Sequence, residues 1–214
     1  MQYRIFGDMT PAVTIRLSRG ESVYTQSGGM SWMTEGVQME SNLKGGFGKA
    51  FGRMFSGESL FMATFTATRD VDEVTFAAAM PGKILKFDIQ PNYEIIAQKG
   101  AFLCAEHGVQ LSTYFNRGVK GGLFGGEGFI LQKVSGSGSV FCEIDGSVET
   151  IDLAPGELLR VDTGNIAAFE TSVQYSAEMV KGFKNILFGG EGLFLSTLRG
   201  PGRVWLQTMT SSEL

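Results

Sequence analysis

The 214-residue chain contains a single histidine, His107, and two cysteines, Cys104 and Cys142. One histidine cannot build a multi-histidine metal centre or a conventional set of histidine catalysts. The two cysteines lack CxxC spacing, so the expected state of each is a buried, reduced thiol rather than a redox or zinc motif. No apolar run approaches the roughly 18 residues of a membrane span. The start, MQYRIFGDMT, has neither the basic residues nor the apolar stretch of a signal peptide. The cytoplasm is the expected compartment. With 18 basic and 22 acidic residues the net charge is -4, so no overall basic balance points to nucleic acid. Long helical periodicity is nearly missing. A short exception is Ala177 to Leu187, where Met179, Val180, Phe183, Ile186 and Leu187 are expected on one helical face.

What is abundant is glycine, 30 residues, together with phenylalanine and valine. That composition predicts an all-β chain with frequent tight turns. Val13 to Ser18, Ile84 to Gln90 and Thr150 to Glu157 alternate apolar and polar residues, as half-buried strands do. Ser59 to Thr68 and Gly128 to Val134 are denser and predict more fully buried strands.

The sequence LFGGEG occurs twice, at Leu123 to Gly128 and at Leu187 to Gly192, with a looser copy at Met54 to Ser59. Glu127 and Glu191 lie 64 residues apart, and so do Val109 and Val173, Gly100 and Gly164, Pro91 and Pro155, and Gly82 and Gly146. Phe87 and Ile89 answer Ile151 and Leu153 at the same offset. The first third follows at an offset of 72: Gly28 answers Gly100, Val37 answers Val109, and Ile15 and Leu17 answer Phe87 and Ile89. It then carries three extra residues inside LKGGFGKAFGRMFSGE. Internal repetition at fixed offsets predicts three tandem β repeats, 1–73, 74–137 and 138–214, forming one pseudo-threefold unit. Each would be a short β-sandwich that cannot close its own edges.

The glycine-rich turn fails as a phosphate loop. Gly48-Lys49 is followed by Ala50 rather than Ser or Thr. The LFGGEG copies run into a strand-like segment rather than a helix. Gly57-Glu58, Gly125-Gly126-Glu127 and Gly189-Gly190-Glu191 are therefore expected to be structural turns. Glycine there supplies φ > 0 and the glutamate accepts backbone N–H bonds. Phe55, Phe124 and Phe188 are expected to anchor them. Gln38, Gln110 and Gln174 recur after the valines and read as solvent-facing strand positions or contacts around the pseudo-threefold axis. His107 stands near Cys104, but the equivalents of Cys104 are Trp32 and Ala168, and those of His107 are Glu35 and Thr171. Trp, Cys and Ala share only apolar character, so packing is preferred to a Cys-His catalytic pair.

Seven basic residues gather before the turns: Lys44, Lys49 and Arg53; Arg117 and Lys120; Lys181 and Lys184. Each segment carries a Leu/Val-Lys-Gly tripeptide, at Leu43, Val119 and Val180. Repeated symmetrically, they would form one cationic rim for an anionic lipid surface or a small anionic ligand. In the longest segment Phe47, Phe51, Met54 and Phe55 share a helical spacing. They are expected to meet another subunit or to insert shallowly into a membrane.

LFGGEGFIL at Leu123 to Leu131 and ILFGGEGLFL at Ile186 to Leu195, preceded by Val-Gln strands and Lys-Gly loops, resemble the bacterial relatives of the mitochondrial biogenesis ("altered inheritance of mitochondria") family over essentially the whole chain. That family's fold is similar to the trp RNA-binding attenuation protein: a short double-stranded β-helix or jelly-roll unit, here in three TRAP-like copies. The resemblance implies a homotrimer or ring. Membrane organisation by the mitochondrial relatives implies a scaffold or a peripheral membrane role. RNA and tryptophan binding do not carry over, because no repeated Lys/Lys/Arg set maps onto this chain. The expectation is a non-enzymatic oligomeric scaffold or binding module with no cofactor and no metal. The alternative is a binder of a small anionic ligand or anionic membrane through the basic rim.

Overall fold

The computed structural model describes residues 1–26, 29–41, 62–114, 130–179 and 194–210. In chain order the strands are β1 (Gln2–Phe6), β2 (Ala12–Leu17), β3 (Ser22–Gln26), β4 (Met30–Met33), β5 (Val37–Ser41), β6 (Met62–Ala67), β7 (Asp72–Ala77), β8 (Gly82–Ile89), β9 (Ile95–Gln98) and β10 (Phe102–Glu106). They continue with β11 (Val109–Thr113), β12 (Leu131–Gly136), β13 (Gly138–Asp145), β14 (Val148–Leu153), β15 (Leu158–Asp162), β16 (Ile166–Glu170), β17 (Gln174–Met179), β18 (Phe194–Arg199) and β19 (Gly202–Gln207). Two single 3-10 turns, Lys99–Ala101 and Thr163–Asn165, lead into β10 and β16. The fold is all-β, and the described residues contain no α-helix.

The strands form four antiparallel sheets, ordered β1-β2-β7-β4, β5-β6-β3-β10-β13-β8, β11-β12-β9-β16-β19-β14 and β15-β18-β17. One three-strand order recurs as β2-β7-β4, β8-β13-β10 and β14-β19-β16; a second recurs as β3-β6-β5, β9-β12-β11 and β15-β18-β17. Even a local irregularity returns. The register slips between Met30 and Trp32, between Phe102 and Cys104, and between Ile166 and Ala168. Each slip is a bulge that bends the strand and re-aims its side chains. The strand order thus groups residues 1–77, 82–145 and 148–210. The expected boundary at 73/74 falls inside β7, and the one at 137/138 falls just before β13. Both strands pair back onto the preceding segment, β7 with β2 and β13 with β8, and such long-range returns leave no local mark in sequence.

Three cores fill the spaces between successive sheets. The first contains Val13, Ile15, Phe65, Phe76 and Phe141, the second Phe87, Ile95, Val140, Ile144 and Trp205, and the third Ile96, Ile166, Phe169, Leu198 and Val204. Each holds an aromatic pair: Phe65–Phe76 at 5.7 Å, Phe87–Trp205 at 4.9 Å and Phe169–Tyr175 at 5.7 Å between ring centroids. Such pairs add about 1 kcal/mol beyond their buried area. The central strands of the two middle sheets are covered on both faces. Ile95 and Ala97 of β9 enter the second core while Ile96, between them, enters the third. That is why β9 and β10 read Ile-Ile-Ala and Phe-Leu-Cys-Ala, apolar without alternation.

The strands expected around Val13, Ile84 and Thr150 are β2, β8 and β14. β6 is less buried than its composition predicts: only Phe65 and Ala67 of its six residues are fully inside, and the other four are half-buried. The helix expected from Ala177 is not formed over its described residues. Ala177 to Met179 belong to β17 and pair with β18, since Ala177 opposes Ser196 in the ladder. The remainder of that segment lies outside the described residues.

Candidate functional site

The predicted rim and turn residues all fall in three segments outside the described residues: Lys44, Lys49, Arg53, Gly57 and Glu58 between β5 and β6; Arg117, Lys120, Gly125, Gly126 and Glu127 between β11 and β12; Lys181, Lys184, Gly189, Gly190 and Glu191 between β17 and β18. The Phe-rich stretch 45–56 lies there too. What the strand order adds is that each segment joins the same two strands of its unit.

Other singled-out residues are described. Cys104 and Cys142 are both free and buried. Burial pushes the Cys142 thiol up to about 12 and raises Cys104 well above its ordinary value, so neither supplies a thiolate near neutral pH. His107 is exposed in the β10–β11 turn while Cys104 is fully inside, so the structure does not join them as a pair. Gln38, Gln110 and Gln174 are exposed at equivalent places on β5, β11 and β17, each beside a buried valine (Val37, Val109 and Val173). They face solvent. Among the described residues no three His, Cys, Asp or Glu gather as metal ligands, and no helix is long and apolar enough to cross a membrane.

Two features were not singled out from sequence. The first is a cavity of about 170 Å³ lined by Met80, Gln98, Gly100, Glu143, Asp145 and Gln207, among others. Glu143 and Asp145 alternate on β13 and so share a face. Burial pushes the Glu143 carboxyl up to about 7, with Asp145 adding to the rise, although the Ala79 N–H donates to Glu143 Oε2 at 2.7 Å and opposes it. Burial also raises Asp145. Gln207 donates to Gln98 Oε1 at 3.3 Å and to the Gly164 carbonyl at 3.0 Å, closing one wall. A carboxyl that titrates near neutrality inside a cavity is the kind of group that binding sites use.

The second feature is the pair of strands that end the outer sheets. Trp32 and Met33 of β4 are 54% and 37% exposed, and Leu158 of β15 is 57% exposed. Trp32 touches only one aromatic ring among the described residues, Phe6 of β1 at 6.3 Å. β4 reads Met-Ser-Trp-Met, with no charge and no proline to discourage pairing. By contrast β10 and β16, which hold the same place in their units, are buried along their first four residues.

Residues 3–209 match the family model described as Mitochondrial biogenesis AIM24. An uncharacterised protein of Streptococcus pyogenes serotype M6 is 31% identical over 212 residues, covering 95% of this chain and 83% of that protein. The X-ray crystal structure of a Streptococcus pyogenes protein, SPYM3_0169, superposes with a TM-score of 0.83 at 27% identity, covering 99% of this chain and 95% of the other.

Proposed function

The chain belongs to the mitochondrial biogenesis AIM24 family, and on that premise we propose that it is a non-enzymatic β-repeat protein that self-associates as an oligomeric scaffold or binding module. The three units are read as tandem repeats of the trp RNA-binding attenuation protein type. The observation that carries the proposal is the way the units are joined: β3 of the first pairs with β10 of the second, and β9 of the second pairs with β16 of the third. A protein assembled internally by adding one unit's strand to the next unit's sheet has units that cannot close their own edges. Such a chain is built to continue. Among the described residues lining the cavity, neither a nucleophile nor a metal set stands beside Glu143 and Asp145. Light scattering at micromolar concentration tests the proposal. An oligomer is expected; a monomer refutes it.

A second reading is contact between a cytoplasmic oligomer and an anionic lipid surface or small anionic ligand. It is favoured by the placement of all seven basic residues in segments that join the same two strands of their units. Units related by one repeated operation would collect those segments on one rim, where each cation near an anionic membrane contributes about 1 kcal/mol.

A further inference from the structure

Among the described residues there are three strands of the β3 kind and three of the β10 kind, but only two joints between them. β3 meets β10 with Tyr24 opposite Ala105 and Val23 opposite Glu106. β9 meets β16 with Ala97 opposite Ala168, Ile96 opposite Phe169 and Ile95 opposite Glu170. The two left over are β15, at one edge of the last sheet, and β4, at one edge of the first, and they are not paired with each other. We infer that β15 of one copy adds antiparallel to β4 of another, so that copies of this chain join head to tail through a third instance of the same joint. This rests on the oligomeric reading above and names its surface.

Burial supports the choice of occupant. Where the joint is made, Cys104, Ala105, Ala168 and Phe169 are all 0% exposed. Where it is not, their counterparts Trp32 and Met33 stand in solvent. The partner strands differ in the same sense: Ile95, Ile96 and Ala97 of β9 are buried, whereas β15 exposes Leu158 and Arg160. The register follows from the two joints already present. Arg160 stands where Tyr24 and Ile96 stand, so it opposes Met33 of the partner copy. Leu159 then opposes Thr34, and Val161 opposes Trp32, of the partner copy.

Arg160 is the one polar residue in a place otherwise held by Tyr and Ile, and the existing joint indicates what it does. Tyr24 donates its hydroxyl across the joint to the buried Val109 carbonyl at 2.9 Å. The residue equivalent to Val109 in the first unit is Val37. Arg160 therefore brings a long donor to the Val37 carbonyl of the partner copy, with its stem lying along Met33 and Met30 of that copy. The contact is heterologous: the surfaces on the two sides differ. It closes into a ring if the rotation per copy allows, and otherwise runs on as a string.

Cysteine trapping tests this. Directly opposed residues on antiparallel strands have Cα atoms about 4.5–5.5 Å apart, within disulfide reach. The variant Met33→Cys with Arg160→Cys, oxidised gently, is expected to give a ladder of covalent multimers on a non-reducing gel. The native thiols are buried. Mixing the single variants Met33→Cys and Arg160→Cys is expected to stop at covalent dimers, and neither single variant alone should link. Dimers from Met33→Cys alone would mean a symmetric contact and would overturn the inference. Native mass spectrometry of the same samples separates the two failures. Oligomers that do not cross-link overturn the joint but not the oligomer, whereas single chains throughout overturn both.

Discussion

Substituting Glu143 by Gln should flatten the pH dependence of stability. Burial in the cavity beside Gln98 and Gln207 raises this carboxyl from an ordinary 4.5 to about 7, with Asp145 on the same face adding to the rise. The folded state therefore holds its proton more tightly than the unfolded state does. The stability this contributes is fully present below about pH 4.5 and is lost as pH rises through 7. At about 1.36 kcal/mol per pH unit the loss is bounded near 3 kcal/mol. Water reaches one side of the cavity, and allowing for that leaves about 2 kcal/mol. Glutamine keeps an oxygen to accept the Ala79 N–H, which Glu143 now accepts at 2.7 Å, and stays neutral at every pH. The third unit already has glutamine in this place, since Gln207 occupies the β19 position that Glu143 occupies in β13. Urea denaturation at pH 5 and pH 8 measures the effect. The wild type should lose about 2 kcal/mol more than Glu143→Gln between those values. Equal losses would show that Glu143 is not held protonated by its burial.

Two further perturbations probe the joints and the basic segments. Tyr24→Phe keeps the ring stacked on Phe102 at 5.6 Å but removes the donor to the buried Val109 carbonyl. It should cost about 1–2 kcal/mol in denaturant unfolding, and a neutral result would mean that water replaces the hydroxyl. In flotation with anionic liposomes the wild type should rise with the lipid, and Lys120→Glu with Lys184→Glu should rise less; equal flotation of the two, or none by the wild type, rejects the basic rim.

Much of the all-β fold is legible in the sequence because similar strand patterns recur at fixed offsets. β2, β8 and β14 alternate apolar and polar residues in sequence, and a fixed offset aligns them. The offset also marks Trp32, Cys104 and Ala168 as one position. What sequence does not reveal is which copies of a position are covered. Met-Ser-Trp-Met of β4 and Phe-Leu-Cys-Ala of β10 are both apolar, and only long-range pairing makes the first exposed and the second buried. Strand pairing is hidden for a similar reason: β7 and β13 return across many residues to pair with β2 and β8. Glu143 was missed because an isolated glutamate in a strand carries no signal. Its cavity is closed by Met80 and Gly100 from turns on either side of β8 and β9, and by Gln207 from the far end of the chain.

The mass of the chain in solution at micromolar concentration tests the account most directly. If the units are built to continue from β15 to β4, native mass spectrometry or light scattering should return an integral multiple of the single-chain mass, with the single chain a minor species. A single-chain mass at that concentration would contradict it, and would mean that the exposed Trp32, Met33 and Leu158 serve some purpose other than joining copies of this protein.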